Sequence, residues 1–313
     1  MITDLLLNLI VFYFFTQLSF FSIIGFGNLI FKDLSKNLWI NNFVYFIIGI
    51  VALSLVGQIL YYFNLDSKFN NLLLIFLGLI FFDYKKNKTN IKLYCILNLI
   101  FFSGLLISKL HEDWSYHFDF IRQLSIYNPI IGIGNVSDIH ILSSSFFIFL
   151  QKIFYLPYFD FKLIFIPVYL IYLNILIVLI ILSLDKDINL KFLSLSILSL
   201  LIVKFSRLSE FGYDYIANII LLKILVIFIY NYYSKFKVSD SSLIYLILFI
   251  YSISVKITSL FFIPIFIYIF LYKNNFEIIN KNNLFIIIIF VCLAFESISR
   301  SGCFMYFAEF TCV

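Results

Sequence analysis

A chain of 313 residues that is 63% hydrophobic and 12% charged, with a mean hydropathy of +1.05, carries more apolar surface than a soluble domain of that length can bury. The net charge of +5 comes from basic residues dispersed among short polar stretches, which is no nucleic-acid signature, and the long unbroken apolar runs do not fit a transmembrane β-barrel. These limits define an all-α, polytopic helical membrane protein whose first partner is the lipid bilayer.

The N-terminal stretch MITDLLLNLIVFYFF has neither a basic leader region nor a small-residue cleavage site, so it reads as the first membrane helix. Apolar runs follow at 4–30, 43–63, 71–84, 91–108, 141–156, 163–184, 192–205, 212–233, 242–256, 258–272 and 284–298. A spanning helix needs roughly 20 residues. The run 141–156 is short, opens on serines, carries Lys152 and closes at Pro157, so it is expected to be re-entrant or interfacial. Ten transmembrane helices remain, in one integral membrane domain over 1–313, because no Gly/Ser-rich or Pro-rich linker divides the chain.

With the N-terminus outside, the loops near 32–42, 83–92, 185–191, 233–241 and 273–283 face the cytoplasm and hold twelve lysines. The opposite side holds seven basic residues, namely Lys68, Lys109, Arg122, Lys204, Arg207, Lys256 and Arg300. That imbalance is the positive-inside pattern and places 109–140, 206–214 and 299–313 on one outer face.

The outer loop 109–140, KLHEDWSYHFDFIRQLSIYNPIIGIGNVSDIH, is where titratable chemistry concentrates. It contains all three histidines (His111, His117, His140), the acids Glu112, Asp113, Asp119 and Asp138, and also Trp114 and Arg122. Glu112 and Asp113 follow directly on the run 91–108, so both sit at a membrane edge. Partial desolvation there raises a carboxylate's pKa and makes it a better base; the plainer reading is a solvated helix end. Asp113 and His117 are four apart and share a face if that stretch is helical, which leaves a divalent cation open as a cofactor. The glycines Gly132 and Gly134 lack the strand-to-helix context of a nucleotide loop.

A second outer loop, SRLSEFGYDY at 206–215, clusters Arg207, Glu210 and Asp214. A guanidinium fork at this depth suits a phosphate, although an exposed ion pair is the simpler alternative. Lys256 lies between two apolar runs, and Arg300 lies beside the C-terminal tail, both as phosphate candidates. Lys223 falls inside a predicted helix and needs either an acid in the bundle or a route to the interface. Cys95 and Cys292 read as packing residues; Cys303 and Cys312 could form a disulfide in an oxidising compartment, a pairing that spacing leaves open.

The acidic pair followed by WSYHFDFIRQL resembles the first outer loop of the GT-C superfamily of polytopic glycosyltransferases. There an acidic pair after a membrane helix is followed by an amphipathic helix parallel to the membrane. SVKITSLFFIP, residues 254–264, is similar to a lysine-containing helix pair of many bacterial members, and the likeness by feature covers about 90–313. It implies a polyprenyl-phosphate-linked sugar donor used on the outer face of a bacterial inner membrane. Asp113 would be the general base with Glu112 second. His117, Trp114 and Arg122 would bind substrate, and Lys256, Arg207 or Arg300 would meet the leaving phosphate. Two other readings stand beside it. An O-antigen polymerase or ligase would lean on the three arginines. A non-enzymatic transporter or flippase of lipid-linked sugars would lean on Lys223.

Overall fold

The computed structural model describes residues 2–31, 34–107, 114–126, 145–156, 164–203, 213–234, 238, 241–271 and 283–301. Every regular element among them is helical. In chain order these are α1 (Ile2–Ile30), α2 (Leu38–Tyr62), α3 (Lys68–Ile80), α4 (Tyr84–Ile107), α5 (Trp114–Ile126), α6 (Ile148–Ile153), α7 (Ile166–Leu182), α8 (Ile188–Val203), α9 (Tyr213–Tyr233) and α10 (Ser241–Val255). A 3₁₀ turn (Ile257–Phe262), α11 (Ile263–Leu271) and α12 (Asn283–Ser301) follow.

Helix α2 is the centre of the bundle. It is apolar all round and buries residues on every face, the pattern of a helix surrounded by others rather than one with a wet side. It touches α1, α6, α7, α10 and α12. Asn37 starts it, its Oδ1 accepting from the Trp39 and Ile40 amides at 3.0 and 3.4 Å. A Schellman turn ends it: the Leu65 amide reaches Leu60 O at 2.8 Å and the Asn64 amide reaches Tyr61 O at 3.0 Å. Asn64 sits at φ 55°, a conformation Asn tolerates better than most residues. That turn fixes Asp66 and Ser67 at the head of α3, where the Ser67 hydroxyl accepts from the Asn70 amide.

Helix α7 is buried on nearly all sides too, and Pro167 occupies its first turn, where a missing N–H costs nothing. The outer helices behave differently. Phe192, Leu200 and Val203 of α8, and Phe261, Ile265 and Tyr268 of the 3₁₀ turn and α11, lie exposed, apolar surface that lipid would cover. The chain reverses at Lys256, whose extended backbone (φ −153°, ψ 123°) breaks α10 from the 3₁₀ turn. Phe249 then stacks on Phe266 at 4.3 Å, so α11 runs back along α10.

Of the ten expected crossings, three are shown among the described residues. These three segments are long and apolar enough to span, Leu9–Ile30, Leu38–Tyr62 and Tyr215–Tyr233, and the apolar stretches described in the other helices have 10–17 residues. The physical reason is that an α-helix rises about 1.5 Å per residue against a hydrocarbon core of about 30 Å. Helix α3, with 13 residues, reaches only about 20 Å at that rise. Hydropathy counts core residues and lipid-facing residues alike, so it cannot separate a short buried helix from a span. The described part of the run 141–156, residues 145–156, holds the six-residue α6, fully buried against α2 and much too short to cross.

Helices α1 and α2 approach as an antiparallel pair at two glycines. A Cβ on Gly49 would strike the carbonyl group of Ile23, whose carbon it would meet at 2.8 Å. The obstacle is backbone, which cannot swing aside. Gly49→Ala is therefore expected to destabilise the protein by about 1–3 kcal/mol, the usual cost of overpacking. Thermal unfolding in detergent measures this, and an unchanged midpoint would show that the two helices can part without cost.

Candidate functional site

The directions of the helices bring the C-termini of α2, α10 and α12 together with the N-terminus of α3 and with α6, and contacts join α6 to α2, α3, α5 and α7. Polar and charged side chains accumulate at this end in two neighbouring groups. In the first, Lys152 of α6 forms a salt bridge with Asp66, their side chains 4% and 21% exposed. The Lys152 ammonium also lies over the Tyr61 ring, 4.0 Å from its centroid. Burial pulls the Lys152 amine down to about 8, and the hydrogen bond and charge of Asp66 oppose that fall. Next to it, the Tyr213 hydroxyl donates to Gln151 Oε1 at 3.4 Å.

The second group lies between α2 and α12. Glu296, 7% exposed, accepts at Oε2 from Gln58 Nε2 at 3.2 Å and from the Tyr62 hydroxyl at 3.0 Å. Gln58 Nε2 also donates to the carbonyl of Cys292 at 2.8 Å. Ser299 closes the ring, its hydroxyl lying against that of Tyr62 and within 3.0 Å of Glu296 O, with one proton to give to either. Tyr61 and Tyr62 are adjacent and in edge contact, so the two groups are continuous through α2.

Helix α5 docks on this end. Ile121 is fully buried, Phe118 meets Tyr155 edge-on at 6.0 Å, and Asp119, Arg122 and Gln123 face outward. Helix α5 thus buries Ile121 and exposes Arg122 on its outer side. Glu112 and Asp113 themselves, with His111, His140 and Arg207, lie outside the described residues, as do Cys303 and Cys312. Trp114 and His117 are placed in the first two turns of α5 and Arg300 in the last turn of α12, by backbone alone. Lys256 caps the 3₁₀ turn, with its amide bonded to Ser252 O at 3.0 Å. The segment before α6 reaches the same region, the Phe146 amide bonding Ser254 O at 3.1 Å.

Lys223 needs a correction. Among the described residues it neither pairs with an acid nor reaches an interface: at 1% exposure its Nζ donates to Asn174 Oδ1 at 2.8 Å and faces the rings of Phe43 and Phe46 at 5.3 and 5.0 Å. Nor is it the only ionisable group at depth, because Glu296 is buried within the last apolar helix. Glu296 and Lys152 were the legible signals for this site, since a charge inside an apolar run is a functional candidate by default. Asp66 and Gln58 had no such signal. Among the described residues no group of three or more His, Cys, Asp or Glu could hold a metal ion, and the Asp113–His117 pairing lies outside them. Cys95 and Cys292 are free and half-buried.

Comparison of the chain with protein-family models, with curated proteins and with solved structures yields no match.

Proposed function

We propose that this chain is a membrane glycosyltransferase that moves a sugar from a polyprenyl-phosphate donor to an acceptor hydroxyl at the α2–α5–α6–α12 end of the bundle. Helix α5 carries the reading. It begins one residue after the Glu112-Asp113 pair and packs through Phe118 onto the end that gathers Lys152, Asp66 and Glu296. In this reading Asp113 takes the acceptor's proton, and the acceptor oxygen bonds to the anomeric carbon. The bond from that carbon to the lipid phosphate breaks, and Lys256, Arg207 or Arg300 meets the charge left on the phosphate. The donor's polyprenyl tail stays in the bilayer of a bacterial inner membrane, with the site facing away from the cytoplasm.

A second reading draws on Lys223, a buried polar group at depth, and makes the protein a transporter of lipid-linked sugars. One experiment separates the two. The purified chain is reconstituted in vesicles with a radiolabelled polyprenyl-phosphate sugar and an acceptor on each side in turn. Transfer to an acceptor supplied on one side only supports the first reading. Movement of the intact donor across the bilayer with no transfer overturns it in favour of the second. Running the transfer arm with EDTA reads the divalent-cation expectation.

A further inference from the structure

Helices α3 and α8 stand on the outside of the bundle, α3 against α1 and α6, and α8 against α7 and α9. Each turns its large side chains outward. On α3 these are Phe69, Leu73, Phe76 and Ile80, three or four residues apart, while the inner face buries Asn71, Ile75 and Gly78. On α8 Phe192, Leu195, Leu200 and Val203 are exposed, and Leu190, Ser194 and Leu201 are buried. Large apolar groups outside and small or polar ones at the helix contact are what a lipid surrounding asks for. Gly78 brings α3 close to α1, since a Cβ there would lie 2.5 Å from Ser22 O. Asn28 Nδ2 then donates to Phe81 O at 2.9 Å, so α3 runs beside the C-terminal half of α1.

A helix in lipid must end where its free backbone groups find water or headgroups. Helix α3 opens on Ser67, which caps it, next to the exposed Lys68. It closes in a turn at Phe81 and Phe82, and Lys85 is exposed just beyond, on α4. Its 13 residues rise about 20 Å. Helix α8 opens on Asp187, whose Oδ1 accepts from the Asn189 and Leu190 amides at 2.9 and 3.1 Å. Lys204 follows its last described residue, Val203, in the chain, and the 16 residues of α8 rise about 24 Å. A lysine can carry its amine somewhat further toward water, but a backbone turn and the short side chain of Asp187 cannot follow. Both outward faces are therefore shorter than a hydrocarbon core of about 30 Å.

We infer that the bilayer is pinched around α3 and α8 to about 20–25 Å of hydrocarbon, and that this surface fits lipids with short acyl chains. A second copy of the chain does not explain both faces. They pack on different neighbours, so one twofold contact would cover one of them and leave the other in lipid. Helix α3 begins beside Asp66, so headgroups at that end are drawn down next to the Lys152 pair. The inference does not rest on the sugar-transfer reading.

The test uses the full chain in phosphatidylcholine vesicles whose monounsaturated chains have about 14, 18 or 22 carbons. Unfolding is followed by the fluorescence of Trp39 and Trp114. The midpoint is expected to be highest with the shortest chains and to fall by about 5 °C at the middle length, and further at the longest. Deuterium NMR of chain-deuterated lipid of the middle length reads the bilayer itself, and the protein is expected to lower its chain order. A midpoint that peaks at the middle length or ignores chain length would overturn the inference. So would chain order that the protein leaves unchanged or raises. Energy transfer between separately labelled chains that persists in the short-chain vesicles at high lipid dilution would assign the faces to a second copy instead.

Discussion

Asp113→Asn is expected to lower the rate of sugar transfer from a polyprenyl-phosphate donor by about 10²–10⁴-fold, the range for removing a general base. The amide has the carboxylate's shape but cannot take the acceptor's proton. The loss should therefore fall on kcat, with KM for the donor little changed. Glu112→Gln is expected to cost less, because adjacent residues cannot present their carboxylates to the same atom. The measurement is initial rate in vesicles, with the unfolding midpoint of each variant taken alongside to show that the protein is intact. Transfer by Asp113→Asn within about twofold of wild type would remove that residue from the chemistry. The prediction depends on α5 because the two acids immediately precede it in the chain, and α5 is anchored through Ile121 and Phe118.

Much of the helical layout could be read from the chain, for identifiable reasons. Asn37, Ser67 and Asp187 each precede a helix and hydrogen-bond its first amides, a local signal that survives folding unchanged. The break at Lys256, among serine and threonine and ahead of Pro264, was equally local. Span length was not legible, because Leu, Ile and Phe serve the interior of α7 as well as the lipid face of α8. Which face of α2 points where was not legible either, since the helix is apolar on every side.

The site divides in the same way. The chemistry-rich window around Glu112, Asp113, Trp114 and His117 stands out because its composition changes over a few residues. The Glu296–Gln58 contact joins residues 238 apart, and no local pattern announces it. Lys223 shows the limit from the other side. Its depth was evident in the sequence, but its partner is the amide of Asn174 and not a carboxylate. A sequence shows that a buried charge needs compensation without showing what supplies it.

Asp66→Ala is expected to cost about 1–3 kcal/mol of stability, the usual penalty for leaving a buried polar group without its partner, because without Asp66 the pKa of the buried Lys152 amine falls further and the amine loses its proton. The two members of the pair are not equivalent. Asp66 keeps a 21% exposed side chain and can be hydrated alone, whereas Lys152, at 4%, cannot. The Tyr61 face offers the ammonium an attraction of about 0.5–2 kcal/mol, too little to replace a carboxylate. Lys152→Met should therefore cost much less than Asp66→Ala, because the thioether fills a similar volume and packs well on the Tyr61 ring. Adding Lys152→Met to Asp66→Ala should then recover most of the loss. Equilibrium unfolding of the two single variants and the double variant measures that coupling. Strictly additive losses would mean that Lys152 is solvated by some other route. The consequence reaches the proposed function, because Tyr155 at the end of α6 holds Phe118 of α5. An α6 loosened by an unpartnered buried amine would let α5 shift, and the donor's KM should rise in Asp66→Ala and fall back in the double variant.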